Sequence, residues 1–98
     1  MENYSISKEA LKDIDTIWLY TLKNWSLEQA DRYYNLIMDE IEYISHNRET
    51  GFDFGNIRKG YRFSKVKSHL IFYKIIGNGK VEIIRVLHEK MNIDNQLH

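Results

Sequence analysis

Few side chains in this sequence are able to do chemistry, and their spacing narrows the reactions further. Cysteine is absent, which excludes a disulfide framework, a thiolate zinc site and a cysteine nucleophile. There is no glycine-rich phosphate loop, no G-x-S-x-G elbow and no pair of histidines at metal-ligand spacing. No metal, no cofactor and no dedicated catalytic residue are therefore expected. Of the histidines, His46 falls at the end of a predicted helix and His98 is the last residue, which leaves His69 and His88. Cutting RNA needs a base for the 2′-hydroxyl, an acid for the leaving oxygen and cations for the phosphate. His88, Arg85, Arg62 and Lys90 are residues of those types. Arg85 and His88 stand three apart, so a regular strand points them to opposite faces. They share a site only if the strand ends or bulges near Leu87. His88 reads equally well as a hydrogen-bonded histidine at a sheet edge.

Charge gives a stronger signal. Residues 56–90 carry nine lysines and arginines against two acids, a net of +7, interleaved with Tyr61, Phe63, Phe72 and Tyr73. Cations among aromatics suit RNA or DNA, and equally suit an acidic or amphipathic peptide; Phe63, Phe72 and Tyr73 also read as core. Arg85 lies in an otherwise apolar run, and a half-buried guanidinium needs an anion. Glu82 or Glu89 could supply it, or a partner could. Over the whole chain 14 basic and 14 acidic residues cancel. Residues 1–49 hold five bases and ten acids, a net of −5, and residues 50–98 nine and four, a net of +5. Such a chain can offer a basic surface while staying neutral overall, or its two halves can simply attract each other.

The elements that must position these residues follow from periodicity. Ninety-eight residues without proline, repeats or low-complexity stretches make one domain, 1–98. Tyr4 to Ser7 alternates as a short strand, and Ser7 then sits where a helix N-cap belongs. Leu11, Ile14, Trp18, Leu22 and Trp25 form one helical stripe, widened by Ile17 and Thr21, with Lys12, Asp13, Asp15 and Lys23 on the other side. Ser26-Leu27-Glu28-Gln29 is a capping box that opens a second helix. Ala30, Tyr34, Ile37, Ile41 and Ile44 make its stripe, with Asp31, Arg32, Asp39, Glu40 and Glu42 mainly outside. Asn47 to Gly55 reads as a loop. From Arg58 the period falls to two, giving strands from Tyr61, from His69 to Ile76 and from Val81 to His88, the last two joined by a Gly77-Asn78-Gly79 turn. The expected fold is α+β, an N-terminal strand and a helical hairpin packed in two layers on an antiparallel sheet.

With those elements placed, several blocks look familiar. Gly51, Ile57-Arg58-Lys59-Gly60-Tyr61-Arg62, Ser68-His69-Leu70-Ile71-Phe72-Tyr73 and Ile84-Arg85-Val86-Leu87-His88-Glu89-Lys90-Met91 resemble the ParE toxins of the RelE/ParE superfamily. Ser7, Ala10, Asp13, Ile17, Tyr20 and Thr21, then Trp25, Gln29, Ala30 and Tyr34, agree with the helices of that pattern. The resemblance covers nearly the whole chain. It implies the toxin of a type II toxin–antitoxin pair, neutralised by a ParD-like antitoxin whose tail lies along the helices and sheet. It also implies DNA gyrase as the target, with a block in replication. RelE members instead cut messenger RNA on the ribosome, and the fold is common to both branches. RelE-type sites use a catalytic tyrosine or histidine near the C-terminus; here no tyrosine follows Tyr73. Asn92 stands where an aspartate is usual.

The expectation is thus a toxin that binds rather than catalyses. Arg58, Arg62, Arg85, His88 and Lys90 are its expected polar contacts, and Tyr61 and Met91 its apolar anchors, toward target or antitoxin. The alternative is a RelE-like messenger RNA endoribonuclease using His88. Trp18, Tyr20, Trp25, Tyr33 and Tyr34 exceed what a small hairpin buries against a sheet, which implies a protein partner covering ~1,600 Å² or more in a hetero-oligomer. The longest apolar run, Leu70 to Tyr73, is far short of a membrane span and the N-terminus lacks signal-peptide features. A cytoplasmic protein is expected.

Overall fold

The computed structural model of the chain describes residues 3–97. Met1, Glu2 and His98, considered above, lie outside the described residues. The chain runs β1 (Tyr4–Ile6), α1 (Lys8–Asn24), α2 (Leu27–His46), β2 (Phe52–Asp53), β3 (Tyr61–Val66), β4 (His69–Ile75), β5 (Val81–His88) and α3 (Ile93–Gln96). Both predicted N-caps form. The Ser7 hydroxyl accepts from the Ala10 amide at 3.0 Å and the Ser26 hydroxyl from the Gln29 amide at 3.1 Å. The segment read as loop holds a single 3-10 turn, Arg48–Thr50, and the two-residue strand β2.

The five strands lie in the order β1-β5-β4-β3-β2. The three expected antiparallel strands form, and the N-terminal strand joins them in parallel, so the sheet as a whole is mixed. β2 to β5 form an antiparallel meander, and β5 then returns in the same direction as β1, with Ser5 opposite Glu82. The helical crossover between β1 and the meander allows that parallel pairing.

Helices cover one face of the sheet. Ala10, Ile14, Ile37, Ile41 and Ile44 pack there against Ile71, Tyr73, Val81, Ile83 and Val86. The opposite face carries a second cluster, Phe72 and Leu87 with Leu97, flanked by Phe54, Tyr61, Phe63, Leu70 and Ile93. Burial of each such side chain contributes ~1.5–3 kcal/mol. The predicted stripes need adjustment. Leu11, Trp25 and Tyr34 are exposed, while Ala10 on α1 and Met38 on α2 turn toward the core and Tyr33 packs against it. Asp13 is not on the outer side of α1 but faces β5, and Glu40 accepts from Ser64 on β3.

A β-bulge decides which way the end of β5 points. Between Phe72 and Tyr73 the register shifts, so Phe72 pairs with Arg85 and Tyr73 with Ile83, leaving Ile84 as the extra residue. From there to the end, Ile71 opposes Val86, Leu70 opposes Leu87 and His69 opposes His88. Directly opposed residues share a face. His88 therefore joins His69 on the helix side, and Arg85 lies on the other. The bulge precedes Arg85, so the two residues stay on opposite faces.

Candidate partner-binding groove

A groove of about 1010 Å³ runs between the helical hairpin and the ends of β4 and β5. Its walls are Ile17, Tyr20 and Trp25 from α1 and its end, Tyr33 and Leu36 from α2, and Lys67, His69, His88, Lys90 and Met91 from the sheet end. Tyr20 is 64% exposed, Trp25 74% and Met91 49%, a cost in hydration that a covering partner would remove. Every charged residue of the lining is a cation: Arg32, Lys67 and Lys90. Arg32 has an exposed i,i+4 contact with Glu28, worth little in water. On a chain with no net charge, this is a local field suited to an acidic surface.

In the groove three rings form a row, Tyr33 hydrogen-bonded to His69 and His69 packed edge-on against His88. The Tyr33 hydroxyl donates to the Val66 carbonyl at 3.1 Å and stands 2.6 Å from His69 Nδ1. The short contact fixes the orientation of the imidazole ring. His88 packs edge-on against His69, ring centroids 5.2 Å apart, and its Nδ1 accepts from the Lys90 amide at 3.1 Å. Burial, then the neighbouring His88, pull the His69 pKa from 6.5 to about 4. Burial likewise raises the Tyr33 hydroxyl above its ordinary value. At neutral pH His69 is thus an uncharged imidazole.

Of the seven residues expected to make contacts, the groove brings together His88, Lys90 and Met91. Arg58, Tyr61 and Arg85 meet elsewhere, around the C-terminal segment on the far side of the sheet. Arg58 Nε donates to the Leu97 carbonyl, and Arg85 Nη1 to the Gln96 carbonyl at 3.0 Å. Tyr61 belongs to the Phe72 cluster and has Lys74 Nζ 5.5 Å from its ring centroid. Arg62 is in a third place. It pairs in register with Tyr73 on the helix side and donates from Nη1 to the Gly51 carbonyl at 2.9 Å.

The anion for Arg85 is internal, and it is neither Glu82 nor Glu89. Asp13 on α1 takes Arg85 Nε on Oδ2 at 2.7 Å and Nη2 on Oδ1 at 2.9 Å, and its Oδ2 also accepts from the Val86 amide at 3.0 Å. Asp13 holds the guanidinium above its ordinary pKa. β1 covers β5 only as far as Ile83, so past that point the open edge lets Arg85 reach round to the helix. Glu89 instead meets Lys65 at 2.8 Å, which lowers its carboxyl pKa. Tyr20, Trp25 and Tyr33, among the aromatics expected to exceed the core's needs, do line the groove, although spacing also placed Trp25 on the buried stripe; Leu36 was left unassigned. Sequence reasoning missed Tyr33 as the residue that orients His69. No group of His, Cys, Asp and Glu able to hold a metal occurs among the described residues. No helix among them is long and apolar enough to cross a membrane.

Comparison with known proteins agrees with this architecture. Residues 4–93 match the model of the family described as ParE toxin of type II toxin-antitoxin system, parDE. The chain is 40% identical over 92 residues to a protein of Caulobacter vibrioides named Toxin ParE1, covering 94% of each. It is 33% identical over 94 residues to a Mycobacterium tuberculosis protein of the same name, covering 96% of each. The fold matches a chain of the solved structure titled "Chromosomal ParDE TA system from P. aeruginosa" with a TM-score of 0.77 at 16% identity, over 90% of this chain and 96% of that one. A family match over nearly the whole length, with relatives above the level at which fold and role diverge freely, settles the membership: this chain belongs to the ParE toxins of type II toxin–antitoxin systems, which work with an antitoxin partner.

Proposed function

We propose that this toxin acts in the cytoplasm by binding DNA gyrase and blocking replication, and that a ParD-like antitoxin neutralises it in a hetero-oligomer by occupying the same groove. The observation that carries this reading is the groove's composition. Exposed Tyr20, Trp25, Leu36 and Met91 supply apolar anchors, and Arg32, Lys67 and Lys90 supply cations with no carboxylate among the lining residues. That combination fits an acidic amphipathic segment of a protein, which buries its apolar side chains and meets the rim charges. Purified toxin is expected to inhibit gyrase supercoiling near stoichiometry, and added antitoxin to restore it. No inhibition at a several-fold excess over active gyrase would overturn the target.

One observation favours a second reading, a messenger RNA endoribonuclease. His69 and His88 lie side by side in the groove that Lys67 and Lys90 also line, the residue types of a base, an acid and phosphate-binding cations. Against it, a base whose pKa is held at about 4 takes a proton poorly at neutral pH. Defined cleavage of messenger RNA by the purified toxin, with or without ribosomes, that disappears in His88→Ala would put this reading first.

A further inference from the structure

A second apolar surface lies on the helical hairpin itself. Leu11 and Leu19 on α1 are 49% and 50% exposed, Leu27 and Tyr34 on α2 56% and 41%, and none of the four belongs to a core cluster or lines the groove. Trp18 and Leu22, half-buried, stand outside both as well. Helical spacing sets these side chains along the seam between α1 and α2 and on its outer side, away from the sheet. The Trp18 indole donates to Asp31 at 3.0 Å, which fixes the level of one helix against the other. Leaving such a stripe in water costs free energy that a covering pair of helices removes.

The two rims of this seam carry opposite charge. On α1, exposed Lys8, Lys12 and Lys23 stand with Asp15, a net of +2; on α2, exposed Glu28, Asp31, Asp39 and Glu42 make a net of −4. Glu9 turns instead toward Glu82 and Arg85, and Arg32 toward the groove. From the level that Trp18 and Asp31 set, Lys8 stands across from Glu42, Lys12 from Asp39 and Lys23 from Glu28, each within about one helical turn of ~5.4 Å. Glu28 and Glu42 meet Arg32 and His46 in exposed i,i+4 contacts worth little in water, and a carboxylate accepts a second cation. A two-fold axis parallel to the helices lays α1 of one copy antiparallel over α2 of another and keeps those levels, so lysines meet carboxylates at both rims. An axis across the helices would set α1 on α1 and α2 on α2, like charge on like. We propose that this face is an interface between two copies of the chain, a four-helix bundle built from two hairpins. α1 and α2 are ~25 and ~30 Å long and together ~20 Å wide, a face of the size that a stable dimer covers, ~800 Å² per copy. No seam residue lines the groove, so each copy keeps its own, and the proposal stands whether or not gyrase is the target.

Sedimentation equilibrium of the full chain at micromolar concentration tests this, with every variant first checked for folding by circular dichroism. The parent is expected at twice the chain mass of 11.8 kDa. Leu19→Glu, or Leu11→Glu if the first does not fold, should weaken the dimer at least ~10-fold. Charge reversal reads the register. Lys12→Glu with Lys23→Glu in one chain, and Glu28→Lys with Asp39→Lys in another, should each be monomeric alone, whereas an equimolar mixture of the two should dimerise. A monomeric parent overturns the proposal, including one that associates only with an antitoxin, which would give the face to that partner instead. So do a dimer that survives the leucine substitution, a charge-reversed chain that dimerises alone and a mixture that stays monomeric. Unfolding of both leucine variants overturns it too, since the seam would then belong to the core.

Discussion

Arg85 shows what a single charged residue does in an apolar strand. The sequence says that it needs an anion, and nearby carboxylates are the natural candidates, yet the partner is Asp13, on a different element and 72 positions away. Only the docking of α1 beside the open edge of β5 brings the two together. Asp13 accepts two bonds from the guanidinium and one from the Val86 amide, and the side chains are 15% and 20% exposed. Asp13→Ala removes the acceptor of all three donors and the counter-charge of Arg85, and should cost ~3 kcal/mol, the low end for breaking a buried pair, read as a lower urea midpoint at unchanged slope. His69 gives a pH effect. Its folded pKa lies below the ordinary value, so the unfolded chain binds more protons between about 6.5 and 4. Stability from this group is complete above pH 6.5 and declines as pH falls through that window, by at most ~1.4 kcal/mol per unit. His69→Gln should flatten the decline in thermal scans from pH 7 to 4. At Gly51 an added Cβ would stand 2.2 Å from the Tyr73 hydroxyl and 2.9 Å from the Phe63 carbonyl. That hydroxyl accepts from the Gly51 amide and donates to the Arg48 carbonyl, so it cannot move aside freely. Gly51→Ala should destabilise by ~1–3 kcal/mol in chemical unfolding.

Among the elements, the two helix starts look alike in sequence and differ in what they hold. Ser26 is exposed and caps α2 alone, so Ser26→Ala should cost about 1 kcal/mol. The Ser7 hydroxyl caps α1 and also donates to the Ile84 carbonyl at 2.8 Å, which ties the helix start to the bulge of β5. Ser7→Ala should cost more, about 2 kcal/mol, since a buried-side acceptor loses its donor as well. Paired urea titrations of the two variants check the order. Most elements were legible beforehand because each carries a local signal: two serine caps, a 3.6-residue stripe in each helix, period-two alternation from Tyr61, and a glycine turn where Asn78 and Gly79 take φ values of 66° and 71°. The bulge at Ile84 carries no such signal. It reverses the faces of Arg85 and His88 relative to an unbroken register, and so decides that His88 meets His69 in the groove. The parallel pairing of β1 depends on how a distant crossover docks, and the two-residue β2 is too short for any period. Leu11 and Trp25 obey the helical spacing yet lie at the margin of the contact, so the stripe alone could not separate a core residue from a groove wall.

On the scale of the whole molecule, the charge division between the two halves of the chain persists in the fold. The Asp13–Arg85 pair joins the acidic half to the basic half, whereas Arg32–Glu28 and His46–Glu42 stay within the first half and Lys65–Glu89 within the second. The cations that face a partner are those of the groove, Arg32, Lys67 and Lys90, whose lining includes no carboxylate. The expected contact residues do not form one sheet-wide surface. Arg58 and Arg85 hold the C-terminal segment, Arg62 holds the Gly51 loop, and Lys67, Lys90 and His88 border the groove. Family resemblance indicated which residues to consider, whereas their separation into three places required the strand register. Long-range charge attraction should make gyrase inhibition weaken as salt rises from 50 to 300 mM, on the order of the Debye screening at those concentrations. The most direct measurement is a supercoiling titration comparing the parent with a Lys67→Glu, Lys90→Glu double variant, both residues being exposed and free of structural ties in the core. The variant is expected to fold with the parent's urea midpoint and to need at least ~10-fold more protein for half inhibition. Equal potency of the two proteins, both folded and with gyrase fully active, would contradict a groove-mediated action.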